Sequence, residues 1–224
     1  MAFCLLTKKY LYMTLEDRLQ QIIEQAYSIV CARIKGGRIK IDNEASLQLQ
    51  LGMVLQTLGS LCEFGENDRF AIILEHTFEL KATTNKCPKK HARADIYMEL
   101  TDGKEKCAAI IELKYFKKAN AREPNNRYDF FADLENLEQY HRQGKSQINY
   151  LIAGTDHSHY YSDANPISAE TGDFNFRDGR QYKAGAVLEY KTKKPYGGKI
   201  TLTQDYSFKW NIANPYAFIK VKVS

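Results

Sequence analysis

Residues 95–114 read Asp-Ile-Tyr-Met-Glu-Leu-Thr-Asp-Gly-Lys-Glu-Lys-Cys-Ala-Ala-Ile-Ile-Glu-Leu-Lys, two alternating strands about an Asp102-Gly103 turn that gather two carboxylates and a lysine. A two-residue Asp-Gly loop is a favoured hairpin connection and sets which residues face one another. In that register Thr101 opposes Lys104 and Asp95 opposes Ile110. Glu112 then lies one diagonal step from Asp95 on the same face, about 7 to 8 Å between backbones. Lys114 follows on that face. Ile96, Met98, Leu100, Ala109, Ile111 and Leu113 fill the other, so the period of two separates an apolar face from a reactive one. A four-residue turn closing two positions further along keeps both faces and sets Asp95 directly across from Glu112.

Two carboxylates so placed, Asp95 and Glu112, suit Mg²⁺, with Mn²⁺ as a substitute. Mg²⁺ is a hard ion that takes one or two protein carboxylates, keeps several waters and completes its shell with phosphate oxygens. The ammonium of Lys114, held near an attacking water, would favour hydroxide and offset charge building on phosphorus. This is the chemistry of a metal-dependent phosphodiesterase. The ordinary alternative is a solvated strand face with incidental ion pairs, and Glu99 with Lys106 reads as one. Glu-x-Lys alone is a frequent accident, whereas Asp95, the turn and the strand context add weight to it.

The surrounding elements can be read from periodicity. A helix starts at Asn43 as cap with Glu44 in its first turn, carries the stripe Leu47, Leu51, Val54, Leu58 and Leu61, and ends near Cys62. A strand spans about 70–80, followed by the hairpin. A second helix runs over 128–142 with Phe131, Leu134, Leu137 and Tyr140 or His141 inward, and Gly144 stops it. Residues 147–153 form a short apolar run, a buried strand that the preceding helix makes a parallel crossover. The order is α, β, β, β, α, β over residues 43–154, an α/β fold with a mixed central sheet flanked by helices.

Asp95 followed by Glu112-Leu113-Lys114, in that order of elements, resembles the PD-(D/E)XK nuclease superfamily, the restriction-endonuclease-like fold. Asp95 matches its first acid and Glu112, Leu113 and Lys114 its (D/E)XK. Ala94 departs from the motif's proline, which carries no catalytic role. The resemblance implies a restriction-endonuclease-like core, Mg²⁺-dependent hydrolysis of DNA by Asp95, Glu112 and Lys114, and an accessory acid on the helix before the first core strand, here Glu44. A favourable carboxylate at a helix N-terminus accounts for Glu44 equally well. Gln147 at the last core strand is either a water or phosphate holder or a polar strand end. Most similar in size and order are the type II restriction endonucleases, which implies a homodimer cutting a two-fold duplex site. A structure-directed repair, recombination or defence nuclease is the alternative within the enzyme class. A nucleic-acid-binding protein with an inert polar strand face is the alternative outside it.

The 224 residues allow one domain with additions: an N-terminal helical extension (1–42), the core (43–154) and a C-terminal β-rich extension packed on it (155–224). Thirty-two Lys and Arg against 27 acids give a net charge of +5, compatible with DNA as partner. Clusters say more. Lys89, Lys90 and Arg93 lead into the first motif strand, Lys117, Lys118 and Arg122 leave the second, and Lys193 and Lys194 lie in a turn between expected strands at 182–190 and 199–208. Such charges hold phosphates without reading bases. Five widely spaced cysteines read as reduced, neither a disulfide frame nor a zinc site, so a cytoplasmic location is expected, with no membrane span and no small-molecule cofactor. Thr14 and Asp17 form a helix start for Leu15, Leu19, Ile22, Ala26 and Ile29. Residues 156–178, with His157 and His159, read as a loop near substrate. The tail 216–223 alternates as a strand closing a sheet edge.

Overall fold

The computed structural model describes residues 13–83, 90–164 and 166–224. Helix α1 (Leu15–Lys35) starts at the expected capping box, in which the Thr14 hydroxyl accepts the Asp17 N–H at 3.1 Å. Its buried stripe runs through Leu19, Ile22, Ile23, Ala26 and Val30, and Ile29, expected inside, is exposed. Helix α2 (Glu44–Ser60) is capped by Asn43, whose side chain accepts the Ser46 N–H at 2.8 Å, and buries Leu47, Leu51 and Leu55. It stops one residue before Leu61, which lies in solvent rather than on the expected stripe.

Strands β1 (Arg69–Glu79), β2 (His91–Thr101) and β3 (Lys106–Phe116) form an antiparallel meander. The β2–β3 turn is the longer of the two read from the sequence. Thr101 pairs with Lys106, and Asp102 Oδ1 accepts the Lys104 and Glu105 N–H groups at 2.9 and 2.8 Å. That side-chain satisfaction of the loop's donors is what allows four residues instead of two. Helix α3 (Glu123–Arg142) begins five residues earlier than expected, because Pro124 suits a helix's first turn. Strand β4 (Ile148–Thr155) then lies parallel to β3, with Glu112 beside Leu151 and Lys114 beside Ala153.

The C-terminal part departs most from the sequence reading. Instead of two long strands it forms two-residue strands, β5 (Gln181–Tyr182) with β8 (Tyr206–Ser207) and β6 (Val187–Leu188) with β7 (Ile200–Thr201). Gly185, at φ 86°, and the Pro195-Tyr196-Gly197-Gly198 stretch interrupt the longer runs. Strands β9 (Trp210–Ala213) and β10 (Tyr216–Val223) join the main sheet, whose order is β1-β2-β3-β4-β10-β9. The tail therefore lies inside the sheet, and β9 takes the edge. Residues 156–178 supply the buried Tyr160, Phe174 and Phe176, and Phe176 stacks on Phe130 of α3 at 4.0 Å.

The mixed sheet separates two cores, one against α1 and α2 and one against α3 and the C-terminal part. The β1–β2 ribbon crosses between them. Phe70, Ile72, Ile96, Met98 and Leu100 pack toward α1 and α2, whereas Phe78, Leu80, Ala92 and Ala94 pack toward α3. The change of side falls at Glu75 and Asp95, where the ladder skips a pair and Glu75 takes φ 55°.

On β4, Gly154 leaves room for aromatic rings. A Cβ there would stand 2.7 Å from the Phe218 ring and 3.0 Å from that of Tyr115. Gly154→Val should cost about 1–3 kcal/mol by overpacking, read as a lower urea midpoint.

Candidate active site

The cluster sits where β2 and β3 part. Their pairing ends at Ile96 with Ile111, and beyond it β2 pairs only with β1 and β3 only with β4. Asp95 and Glu112 are the first positions beyond that last pair, one on each arm of a fork. This corrects the Ile110 partner expected from the shorter turn, since Ile110 pairs with Tyr97.

Separated strands leave backbone groups that a sheet would have paired. The site's own side chains take them. Asp95 Oδ2 accepts the Leu113 N–H at 2.6 Å, and Lys114 Nζ donates to the Leu113 carbonyl at 2.8 Å. Glu44, at the start of α2, accepts the Tyr115 N–H. One turn on, Gln48 Nε2 donates to the Asp95 carbonyl at 2.7 Å and to Glu75 Oε1 at 2.8 Å. Glu75 also pairs with Arg93 at 3.0 Å. These contacts bring Asp95, Lys114 and Glu44 together and add Gln48 and Glu75, while Glu112 joins them as one of the charges acting on Lys114.

Lys114 reaches across the fork to α3, where its Nζ lies 2.7 Å from Asp133 Oδ2, a side chain with no exposure. Burial alone would depress the ammonium's pKa. The charges of Asp133, Glu44, Glu112 and Asp95 outweigh it and raise the pKa above its usual value, so the lysine is a cation throughout the neutral range. Burial pushes the Glu44 and Asp95 carboxyls up, Lys114 pulls both back, and Asp95 and Asp133 push Glu44 up again as Asp133 and Glu75 push Asp95. Four acids thus surround one ammonium, leaving a formal excess of negative charge in a half-buried place. Among the described residues no group of three or more His, Cys, Asp or Glu side chains is arranged to hold a metal ion by itself. Mg²⁺ asks for less than such a cage, since one or two carboxylates and several waters suffice. Asp95 and Glu112 meet that requirement, and their excess charge is of the sign a divalent cation offsets.

Asp133 escaped the sequence reading because it falls among Phe130, Phe131, Leu134 and Leu137 on a helix read for its apolar stripe. A carboxylate inside such a stripe is itself the missed signal. Gln147 stands outside the cluster: its side-chain oxygen accepts the Ala108 N–H at 2.8 Å, tying β4 to β3. His157 and His159 also lie apart. His159 Nε2 is 3.3 Å from Glu123, and its carbonyl accepts from the buried Arg127 and Arg177. That arrangement serves packing.

The basic residues divide between the two ends of α3. Arg93 meets Glu75 beside the fork, and Lys90 follows the ribbon tip, where Lys81 and Ala82 donate to Gln143 at the end of α3. Lys89 lies outside the described residues. Lys117, Lys118 and Arg122 lead from β3 to the start of α3, and Arg122 contacts the Tyr196 hydroxyl at 3.4 Å. That contact places the turn bearing Lys193 and Lys194, both exposed, at the same end. The turn rests on α3, with Tyr196 edge-on to Tyr128. Glu99 and Lys106 form the expected ion pair at 2.9 Å.

Searches of protein-family models, curated proteins and solved structures each find no match to this chain. Among the described residues no helix is long and apolar enough to cross a membrane.

Two outcomes follow from this geometry. Asp133→Ala leaves a buried ammonium without its main partner and should cost about 3–5 kcal/mol in urea denaturation, with Asp133→Asn costing less. A carboxyl whose folded pKa is raised stabilises the fold below its unfolded pKa, roughly 4, and loses that contribution as pH rises through the folded value. Without divalent cations, the stability of Glu44→Gln relative to the unaltered protein should therefore increase from about pH 4 to about pH 7. A flat or opposite slope in melting experiments would mean that Glu44 is not desolvated as described.

Proposed function

We propose that the chain is a Mg²⁺-dependent endodeoxyribonuclease with a restriction-endonuclease-like core, hydrolysing DNA phosphodiester bonds in the manner of a type II restriction endonuclease. The observation that carries this reading is the fork: Asp95 and Glu112 stand on its two arms, Lys114 pairs with Asp133 within the field of both, and Glu44 reaches in from α2. The α, β, β, β, α, β order around the fork supports the same reading. A homodimer acting on duplex DNA belongs to this proposal through the same resemblance, and a cytoplasmic location through the cysteines read as reduced.

Asp95 and Glu112 would hold the metal, which when bound supplies Lewis-acid polarisation of the phosphate and lowers the pKa of a coordinated water. Lys114 remains an ammonium and therefore acts by charge, favouring hydroxide and offsetting the negative charge that builds on the phosphoryl oxygens. Asp133 sets where that ammonium points. Glu44, the carboxyl raised by burial and not assigned to the metal, is suited to accept a proton from the attacking water. Lys117, Lys118, Arg122, Lys193 and Lys194 at one end of α3, with Lys90 and Arg93 toward the other, would hold the flanking phosphates and set register.

The test is cleavage of unmethylated phage and plasmid DNA with Mg²⁺ or EDTA, with Glu112→Ala and Lys114→Ala beside the unaltered protein and circular dichroism to verify folding. Discrete Mg²⁺-dependent bands are expected, with the rate falling about 10²–10³-fold or more in either variant. A smear would move the reading to a non-specific or structure-directed nuclease. No cutting of duplex, branched or single-stranded DNA would sink it.

A further inference from the structure

On the α3 side of the sheet, between Tyr97 and the hairpin-turn end of β3, a cavity of about 230 Å³ is lined by residues that include His76, Phe78, Tyr97, Lys106, Lys145 and Gln147. The ribbon's change of side puts it there, because it turns His76 and Phe78 to the face that carries Tyr97. The His76 ring lies 4.5 Å from that of Tyr97 and 6.0 Å from that of Phe78, giving a continuous aromatic wall. Glu99 occupies the polar groups at its margin, accepting the Tyr97 hydroxyl at 2.9 Å and pairing with Lys106 at 2.9 Å. Opposite the wall, Lys145 follows the end of α3.

We propose that this cavity binds one unstacked nucleobase of the DNA substrate, stacked on His76, with Lys145 toward its phosphate. The inference rests on the nuclease reading for the identity of the ligand. The volume is below the roughly 300–1,000 Å³ of pockets for drug-sized molecules and fits a single ring system. Aromatic rings beside lysines are the recurring composition of sites for single-stranded nucleic acid, where every base offers a π-face and every link a phosphate. Position adds to composition. Tyr97, at the end of the cavity nearest the fork, is two residues from Asp95 on one strand, about 7 Å along it, so the base would belong to a nucleotide neighbouring the one whose phosphate the fork would hold.

The test separates base from backbone. The full-length protein in EDTA is titrated with a fluorescent thymidine oligonucleotide and with an abasic oligonucleotide of the same length and charge, and anisotropy is read. The unaltered protein should bind the thymidine strand about tenfold more tightly than the abasic one. His76→Ala should bind both alike, and His76→Phe should keep the preference. Equal binding of both strands by the unaltered protein, or a preference that survives His76→Ala, overturns the proposal. Failure of the nuclease reading is distinguishable, since it would appear as no Mg²⁺-dependent cutting while the preference for bases persists.

Discussion

The organising constraint is the parting of β2 from β3. A sheet that splits inside a protein exposes amide and carbonyl groups that cost free energy if left unpaired. Here the Leu113 N–H, the Leu113 carbonyl and the Tyr115 N–H are each met by a side chain, Asp95, Lys114 and Glu44 in turn, and Gln48 meets the Asp95 carbonyl where the β1–β2 ladder skips a pair. Three of the four residues proposed for the chemistry, Asp95, Lys114 and Glu44, meet the fork's backbone groups, with Gln48 as an auxiliary. Position and reactivity therefore cannot be varied independently: a shift in any of these side chains frees a backbone group as well as moving a charge. The left-handed backbone at Glu75 belongs to the same device, since it marks where the ribbon changes side.

Charge balance is the second half of the design. Lys114 is secured from both directions, by the Leu113 carbonyl and by Asp133, while three further acids crowd it. A cation binding between Asp95 and Glu112 would relieve repulsion already present in the folded chain. The free protein bears the cost of that repulsion, a familiar exchange of stability for function.

How much of this the sequence disclosed follows from periodicity. Asp95, Glu112 and Lys114 were legible because strand alternation forces residues of one parity to one face, and a change of turn length by two preserves that parity. Glu44 was legible because Asn43 marks the helix start. The choice between the two turn lengths is not legible, because the bonds from the Asp102 side chain that open the turn by two residues compete on equal terms with the tighter loop. Asp133 was hidden because pattern reading discards a polar residue on an apolar stripe. The C-terminal part was the least legible, since Phe174 and Phe176 are buried by contacts with α3 that obey no local period. The position of β10 within the sheet was likewise out of reach, as partner choice between distant strands leaves no mark on either strand alone.

The place of β10 has a bearing on how the molecule is assembled. The meander β1-β2-β3 joins neighbours in the chain, and β4 follows after a single helix, so the fork and its acids can form from local encounters. β4 nevertheless lacks a partner on its far side until β10 arrives from beyond the whole loop-rich segment between Thr155 and Tyr216. Contacts of such long separation form slowly, and the waiting edge is a strand with every residue buried in the finished protein. An edge left open in that interval would be the most fully buried strand of the sheet, and such an unpaired edge is prone to pair with other chains.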